Sequence, residues 1–167
     1  MTSKRLFDTE FYLREYSDVA ASGIDPFTHY TLFGWRENRD PNAFFSTRYY
    51  KVTNPDVSEA EKNPLEHFVE FGVQELRNPS PFFDTSTYLR ENPDVANGAT
   101  NPLEHFLLFG NQEGRTSNEL FDSTFYLTNN LDVAFLVNNN QTTALEHFAL
   151  FGHKEGRDPS ANFNTAL

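Results

Sequence analysis

The sequence predicts an all-α protein in which four tandem helix–turn–helix units, each of about 38 residues, form a short solenoid or a compact helical stack. A phenylalanine followed by a polar helix-capping residue recurs every 38 residues, at Phe7, Phe45, Phe83 and Phe121. The phrase NPLEHF occurs at residues 63–68 and again, unchanged, at 101–106. A glycine follows each such helix, at Gly34, Gly72, Gly110 and Gly152. One unit cannot bury its own aromatic side chains, so neighbouring units must cover them.

The repeat divides the chain into units 1 to 4 over residues 7–44, 45–82, 83–120 and 121–162, followed by the start of a fifth unit at 163–167. Residues 1–167 are therefore expected to form a single repeat domain. The fourth unit carries four extra residues around the segment 134–142, which is apolar at first and then rich in asparagine. Only AFLV, at 134–137, is apolar enough to suggest a strand.

The first helix of each unit should be short. Its expected N-caps, which accept hydrogen bonds from first-turn amides, are Asp8, Ser46, Asp84 and Asp122. The phenylalanine before each cap and a tyrosine at the fourth helical position form a hydrophobic staple, as in Phe7 with Tyr12. Proline ends this helix in units 2 and 3, because the residue before a proline avoids the helical region. The aspartates that follow are each expected to cap a small turn: Asp18, Asp56, Asp94 and Asp132.

The phrase NPLE marks the start of the second helix. Asn63 is the expected N-cap and Pro64 occupies the first helical position, where its missing N–H is not needed. Glu66 can reach back to the amide of the cap, which completes a capping box. The helix should then bury Phe68 and Phe71 on one face and end at its glycine in the left-handed conformation. Unit 4 repeats the box with Thr143 and Glu146, whereas unit 1 has Asp25, Pro26 and Thr28.

The Glu-His pairs within these phrases admit two interpretations. They are Glu66-His67, Glu104-His105 and Glu146-His147. As a functional site, each would supply an acid and a base or a set of metal ligands. As structure, each is a capping glutamate followed by a histidine that packs or bonds within the stack. Adjacent helical residues point in different directions, and a metal needs three or four converging ligands, so the structural interpretation is favoured.

The repeated acidic residues could bind calcium or form ion pairs. Besides the four aspartates, each unit has a glutamate close to an arginine, for example Glu37 and Arg39. Calcium takes six to eight oxygens, commonly from one compact loop, and no D-x-D-x-D-G loop occurs here. We therefore expect ion pairs that fix one unit on the next. No cofactor is predicted, and calcium is the one ligand kept as an alternative.

Composition narrows the class of partner. The net charge of -11 argues against nucleic acid and anionic membranes, which both require a basic surface. No apolar run reaches the length of a membrane span, and the N-terminal segment lacks the apolar core of a classical signal peptide. The chain has no cysteine and none of the common nucleotide-binding or hydrolase motifs. Because everything distinctive is fourfold, whereas active sites are single, we expect no enzyme.

Departures from the repeat indicate candidate partner-binding residues. Trp35 is the only tryptophan, and Tyr16 stands where other units have polar residues. Phe135 and Leu136 lie in the insertion of unit 4. Phe163 begins the fifth unit and would leave an aromatic end for a second molecule or a partner helix. Such departures in repeat arrays map to binding faces, although an N-terminal cap and a surface loop would equally explain those in units 1 and 4.

The consensus F-D-x-x-x-Y-L-x-x-N-P-D-V-A, then N-P-L-x-H-F-x-x-F-G-x-x-E-G-R-x-P, resembles a tandem repeat of bacteria, notably cyanobacteria and proteobacteria. In those bacteria it accompanies secreted calcium-binding repeat proteins and large glycosyltransferases. The resemblance covers about Phe7 to Ser160 and is closest at residues 86–96 and 101–115. Unit 1 departs from it at YSDVA, and unit 4 departs at NNLDVA. It implies an accessory or interaction module and no catalytic residues.

The leading hypothesis is a non-enzymatic structural or adaptor module that binds a protein partner in a bacterial surface or extracellular assembly. The alternative is a calcium-responsive or glycan-associated surface module. An adaptor should fold without metal, whereas a calcium-responsive module should gain stability from calcium.

Overall fold

In a computed structural model of the chain, residues 2–163 are described, so the start of the fifth unit lies outside the described residues except for Phe163. The fold is all-α. Within 2–163 there are twelve short α-helices and no strand, only isolated bridges such as Asn42 to Phe45. No helix of the described part is long and apolar enough to cross a membrane.

The first helix of every unit has seven residues. These helices are α1 (Thr9–Glu15), α4 (Thr47–Thr53), α7 (Thr85–Glu91) and α10 (Ser123–Asn129). The predicted caps are confirmed: the side chain of Asp84, for example, accepts from the amide of Thr87 at 2.6 Å. The predicted staple is confirmed too, since the rings of Phe83 and Tyr88 lie 5.0 Å apart.

The predicted small turn is itself a helix. It forms α2 (Ser17–Ser22), α5 (Pro55–Glu59), α8 (Pro93–Ala96) and α11 (Leu131–Asn138). The N-cap of α5 is Asn54, so Asp56 stands inside the first turn and does not cap it as expected. The insertion of unit 4 lengthens α11 to eight residues, and the strand-like AFLV segment lies within that helix. Helical context here overrides a weak local preference.

The third helix carries the NPLEHF phrase. It forms α3 (Pro26–His29), α6 (Pro64–His67), α9 (Pro102–His105) and α12 (Ala144–His147). Each helix continues as a π-helical turn, over Tyr30–Gly34, Phe68–Gly72, Phe106–Gly110 and Phe148–Gly152. The cap is as predicted, with the Asn63 side chain accepting from the amides of Leu65 and Glu66. A 3₁₀ helix at Ser3–Leu6 precedes unit 1.

The π turn corrects two expectations. A π turn holds more residues than an α turn and rotates the side chains that follow it. Phe68 is therefore fully buried, whereas Phe71 is 40% exposed instead of sharing its face. The glycine at the end is not left-handed; the glycines with positive φ are Gly23, Gly114 and Gly156.

A tyrosine hydroxyl explains why glycine ends each π turn. Tyr12 packs so closely on Gly34 that a Cβ atom there would collide with the hydroxyl. The same collision would occur at Gly72, Gly110 and Gly152. Each of these hydroxyls shares a hydrogen bond with a histidine Nδ1, as Tyr12 does with His29 at 3.0 Å. Tyrosine, histidine and glycine together therefore join the first and third helices of a unit.

The core consists of these tyrosines and the phenylalanines beside them. The largest fully buried side chains include Tyr12, Tyr30, Tyr50, Tyr88 and Tyr126. One cluster extends from Leu6 to Ala149, and a smaller one belongs to unit 4 and contains Tyr126 and Phe148. The three α-helices of each unit contact one another. The end of each unit also returns to its start, as where the Asp8 amide donates to the carbonyl of Pro41 at 2.9 Å.

We predict that Gly34→Ala lowers the free energy of unfolding by about 2 kcal/mol, because the new methyl group collides with the Tyr12 hydroxyl. Tyr12→Phe should cost about 1 kcal/mol through loss of the His29 hydrogen bond. In the double variant the nearest contact of the methyl group is an ordinary 3.4 Å. The two losses should therefore not add. Urea unfolding of all four proteins measures this, and simply additive losses would show that the hydroxyl is not the obstacle.

Candidate functional site

The Glu-His pairs do not form a common site. In each of the four units, the histidine side chain is hydrogen-bonded to a buried tyrosine hydroxyl. Burial lowers the pKa of His67 and His147. The glutamates are placed differently: Glu66 is exposed, whereas Glu104 is buried and accepts from Arg5 at 3.0 Å. Among the described residues, no group of three or more His, Asp or Glu side chains is placed to hold a metal ion.

The repeated acidic residues form ion pairs, but inside each unit and not between units as expected. Arg77 binds Asp56 through two nitrogens at 2.8 Å and Glu75 at 2.6 Å, and it also donates to the Asn54 side chain. Hydrogen bonds from Arg77 lower the pKa of Asp56 to about 2. Arg39 and Arg157 bind Asp18 and Asp132 in the same two-nitrogen manner, and Arg115 binds both oxygens of Asp94 through Nη1. Each cluster ties the second helix to the end of its own unit.

The candidate residues of unit 1 are engaged inside the fold. Trp35 is buried, its indole N–H donates to the carbonyl of Thr31, and its ring lies under Arg36. Tyr16 takes the place of the asparagine that binds arginine in later units. Its ring packs under Arg39, and its hydroxyl accepts from the amide of Asp40 at 2.7 Å.

The candidate residues of unit 4 lie closer to the surface. Phe135 is 66% exposed on α11, and Leu136 beside it is half-buried. Phe163 is 41% exposed, and its bridge to Ser160 repeats those made by Phe45 and Phe83 at the earlier unit starts. Of the predicted residues, Phe163 is the one that lies in an apolar groove.

Side chains just before each unit form the contacts between units. Phe44 meets Phe106 of unit 3 edge-on at 5.0 Å, and Phe82 meets Phe148 of unit 4 at 5.8 Å. Leu6 is buried on the 3₁₀ helix that contacts α6 and α9. Leu120 stands at the same position before unit 4 and is 57% exposed. At this position Leu6 and Phe44 are therefore buried, Phe82 is half-buried and Leu120 is exposed.

A second type of contact joins the end of one π turn to the cap of the next unit's third helix. Asn111 follows the π turn of unit 3 and accepts from the hydroxyl of Thr143, the cap of α12, at 2.7 Å. Val73 similarly lines a cavity with Asn101, the cap of α9, and Trp35 lines one with Asn63. His153 occupies this position in unit 4.

The tail surface is an apolar groove beside unit 4. It has a volume of about 450 Å³, and its lining includes Phe82, Leu120, Phe121, Phe148, His153 and Phe163. No carboxylate, lysine or arginine is among the described residues that line it, although the chain carries a charge of -11. Nδ1 of His153 is used by the carbonyl of Phe148 at 3.0 Å, and its ring packs on Phe82.

The head surface is the cap of α3 in unit 1, formed by Ile24, Asp25, Pro26 and Phe27. Ile24 is 43% exposed and Phe27 is half-buried, with Lys4 over its ring. In units 2 and 3 the corresponding cap, proline and leucine are all buried. The third helix of unit 1 thus has an exposed cap, whereas those of units 2 and 3 have buried caps.

Sequence reasoning named Phe163 but missed Leu120, His153 and Ile24. Leu120 follows the repeat, since Leu6 is its exact equivalent, so only the order of the units in space distinguishes it. His153 had a visible signal, because the residue after the glycine differs in all four units.

Comparisons with protein-family models, with curated proteins and with solved structures found no match to this chain.

Asp40 holds the start of unit 2 and gives that contact a pH dependence. Its carboxylate accepts from the buried Thr47 amide at 2.7 Å, as Asn78 does from Thr85 at 2.9 Å in the next unit. Burial raises the pKa of Asp40 from 3.8 to about 6, and the hydrogen bond and Lys154 oppose this only in part. A neutral asparagine, as at position 78, can accept the same hydrogen bond without the free-energy cost of burying a charge.

We therefore predict that Asp40→Asn stabilises the protein above pH 6, by on the order of 2 kcal/mol. The folded state holds the Asp40 proton more tightly than the unfolded state. Its favourable contribution is therefore complete below about pH 4 and lost as the pH rises through 6. The stability difference between variant and wild type should accordingly shrink towards pH 4, and thermal melts at several pH values measure it. A difference independent of pH would contradict the assignment.

Proposed function

We propose that this protein is a non-enzymatic structural or adaptor module that binds protein partners through an exposed apolar groove beside the fourth of its helical units. The observation that carries the proposal is the tail surface. There Leu120 is 57% exposed, whereas its counterparts Leu6 and Phe44 are each 2% exposed and Phe82 is half-buried. An exposed apolar groove of this kind indicates a surface that another protein covers.

Several contacts support the stack itself. Three α-helices in each unit contact one another, and apolar side chains before the units pack on later units. Burial falls at the far end, as expected of an array: Phe83 is fully buried, whereas Phe121 at the same position of unit 4 is half-buried. Thr85 is likewise buried, whereas its counterpart Ser123 is exposed.

The use of the repeated polar residues supports a non-enzymatic role. In each unit one histidine bonds a tyrosine, and one arginine neutralises an aspartate and a glutamate. These groups stabilise the unit, so they are not arranged around one reacting atom. The resemblance to bacterial repeats supports a place beside secreted or surface proteins, and this setting is part of the proposal.

Calcium distinguishes this proposal from the calcium-responsive alternative. The acids that calcium would need are paired with arginine in every unit, so displacing the arginines would oppose binding. We predict the same melting temperature in EDTA and in millimolar calcium, within about 1 °C. A ligand that binds only the folded state must raise it, so a rise of several degrees would favour the alternative.

Site-specific crosslinking tests the partner-binding surface. A photoreactive phenylalanine analogue at Leu120, expressed in cells of the source organism, should give a discrete adduct with a protein on irradiation. Val52 is the matched control, because it is apolar, 70% exposed and outside the groove. Equal adducts at both positions, or none at Leu120, would refute the tail surface as the binding site. The mass of the adduct also identifies whether the partner is this chain or another protein.

A further inference from the structure

We propose that the partner of the tail surface is the head surface of a second molecule of this chain, so that the cap of α3 in one molecule packs beside unit 4 and Phe163 of another. The inference rests on the proposed function and names its partner. Its basis is the set of contacts that the chain already makes between its own units.

The tail surface presents both kinds of group that a following unit would contact. Leu120 corresponds to Phe44 and Phe82, which pack on the third helix of the unit two places ahead of their own. His153 corresponds to Asn111, which bonds the cap of the next unit. Phe163 with its Ser160 bridge already reproduces the start of a further unit. The occupant that this surface fits is therefore a third helix of this repeat, together with its cap.

Within residues 2–163, unit 1 is the unit whose third-helix cap is exposed. The caps Asn63 and Asn101 are 8% and 5% exposed, because preceding units already cover them. Asp25 is exposed, and Ile24 before it is apolar where units 3 and 4 have threonine. In unit 3 the residue equivalent to Ile24 lies where two units meet, because Thr100 lines the same cavity as Val73 of unit 2.

The two polar residues at the proposed joint are complementary. Between units 3 and 4 the pair is an asparagine and a threonine, 2.7 Å apart. At the joint the corresponding pair is His153 of one molecule and Asp25 of the other. Because Nδ1–H of His153 already donates to the carbonyl of Phe148, Nε2 donates to the carboxylate only from the protonated imidazolium. The rest of the groove lining carries no charged side chain among the described residues. Although the chain has a net charge of -11, the groove therefore has no acidic side chain that would repel Asp25 of the second molecule.

A head-to-tail joint uses different surfaces on the two molecules, so it leaves one head and one tail uncovered. Such heterologous contacts extend into chains unless the rotation closes a ring. A tail-to-tail pair would instead stop at a dimer. Blocking the head and the tail separately therefore distinguishes head-to-tail assembly from a tail-to-tail dimer.

The experiment measures molecular mass by light scattering and sedimentation from micromolar to submillimolar concentration. Wild type should grow with concentration beyond a dimer. Leu120→Asp, which blocks the tail, and Ile24→Asp, which blocks the head, should each remain monomeric. An equimolar mixture of the two should form a dimer and nothing larger, because one joint is intact. Both sites are exposed, so folding should survive, and unfolding melts check this. Phe163→Asp is the second tail variant.

Leu131→Asp is the matched control, because Leu131 is 75% exposed and lies outside both surfaces. It should assemble as wild type does. At the polar pair, His153→Asn, which copies Asn111, should retain assembly. His153→Glu, which sets a second carboxylate against Asp25, should weaken it by about tenfold or more.

Four results would overturn the proposal. They are a wild type that stays monomeric, a mixture that stays monomeric, an Ile24→Asp variant that still forms dimers alone, and loss of assembly in the Leu131→Asp control. A monomeric wild type whose Leu120 crosslinker captures a different protein would leave the proposed function intact and remove only this inference. Absence of any Leu120 adduct together with a monomeric wild type would remove both.

Discussion

The hydrogen bond between tyrosine and histidine, with glycine pressed against the tyrosine hydroxyl, is the contact on which the fold depends. It brings the first helix of a unit onto its third helix, and it buries the tyrosine ring completely. Helices of four to eight residues are far too short to be stable alone, so their stability must come from such contacts. The staple phenylalanine packs on the same tyrosine, as Phe45 does on Tyr50 at 5.4 Å. Each unit is therefore organised around one buried ring.

The arginine cluster completes the unit from the outside. Arg77 joins the second helix to the link that follows the π turn, and Asn54, the cap of that helix, accepts from the same guanidinium. Exposed ion pairs contribute little stability, so this network acts chiefly by fixing where the link runs. The link in turn places the next unit, since Arg77 and Asn78 supply the acceptors that hold Thr85. Local polar chemistry thus determines the spacing of the array.

Much of the local structure could be predicted because caps, staples and proline positions act within one turn. Asp84 with Thr87 and Phe83 with Tyr88 are contacts between residues close in sequence. The glycine was misread, since glycine serves both a left-handed helix end and a close approach, and only the distant Tyr50 decides for Gly72. The contact between Tyr16 and Arg39 is equally hard to predict, because the two residues lie 23 positions apart. Long-range pairing is therefore what the sequence pattern does not provide.

Repetition also hides function from the sequence. A residue such as Leu120 conforms to the pattern, and so nothing in its type marks it. What distinguishes it is its exposure, which depends on the residues packed around it and not on its own type. The same holds for Asp25, an ordinary cap that is exposed although its counterparts Asn63 and Asn101 are buried. A repeated residue that is buried in one unit and exposed in another offers the same chemistry to a partner at one place only. Binding surfaces in such proteins should therefore be sought first where repeated residues lose their cover, and only second where the repeat is broken.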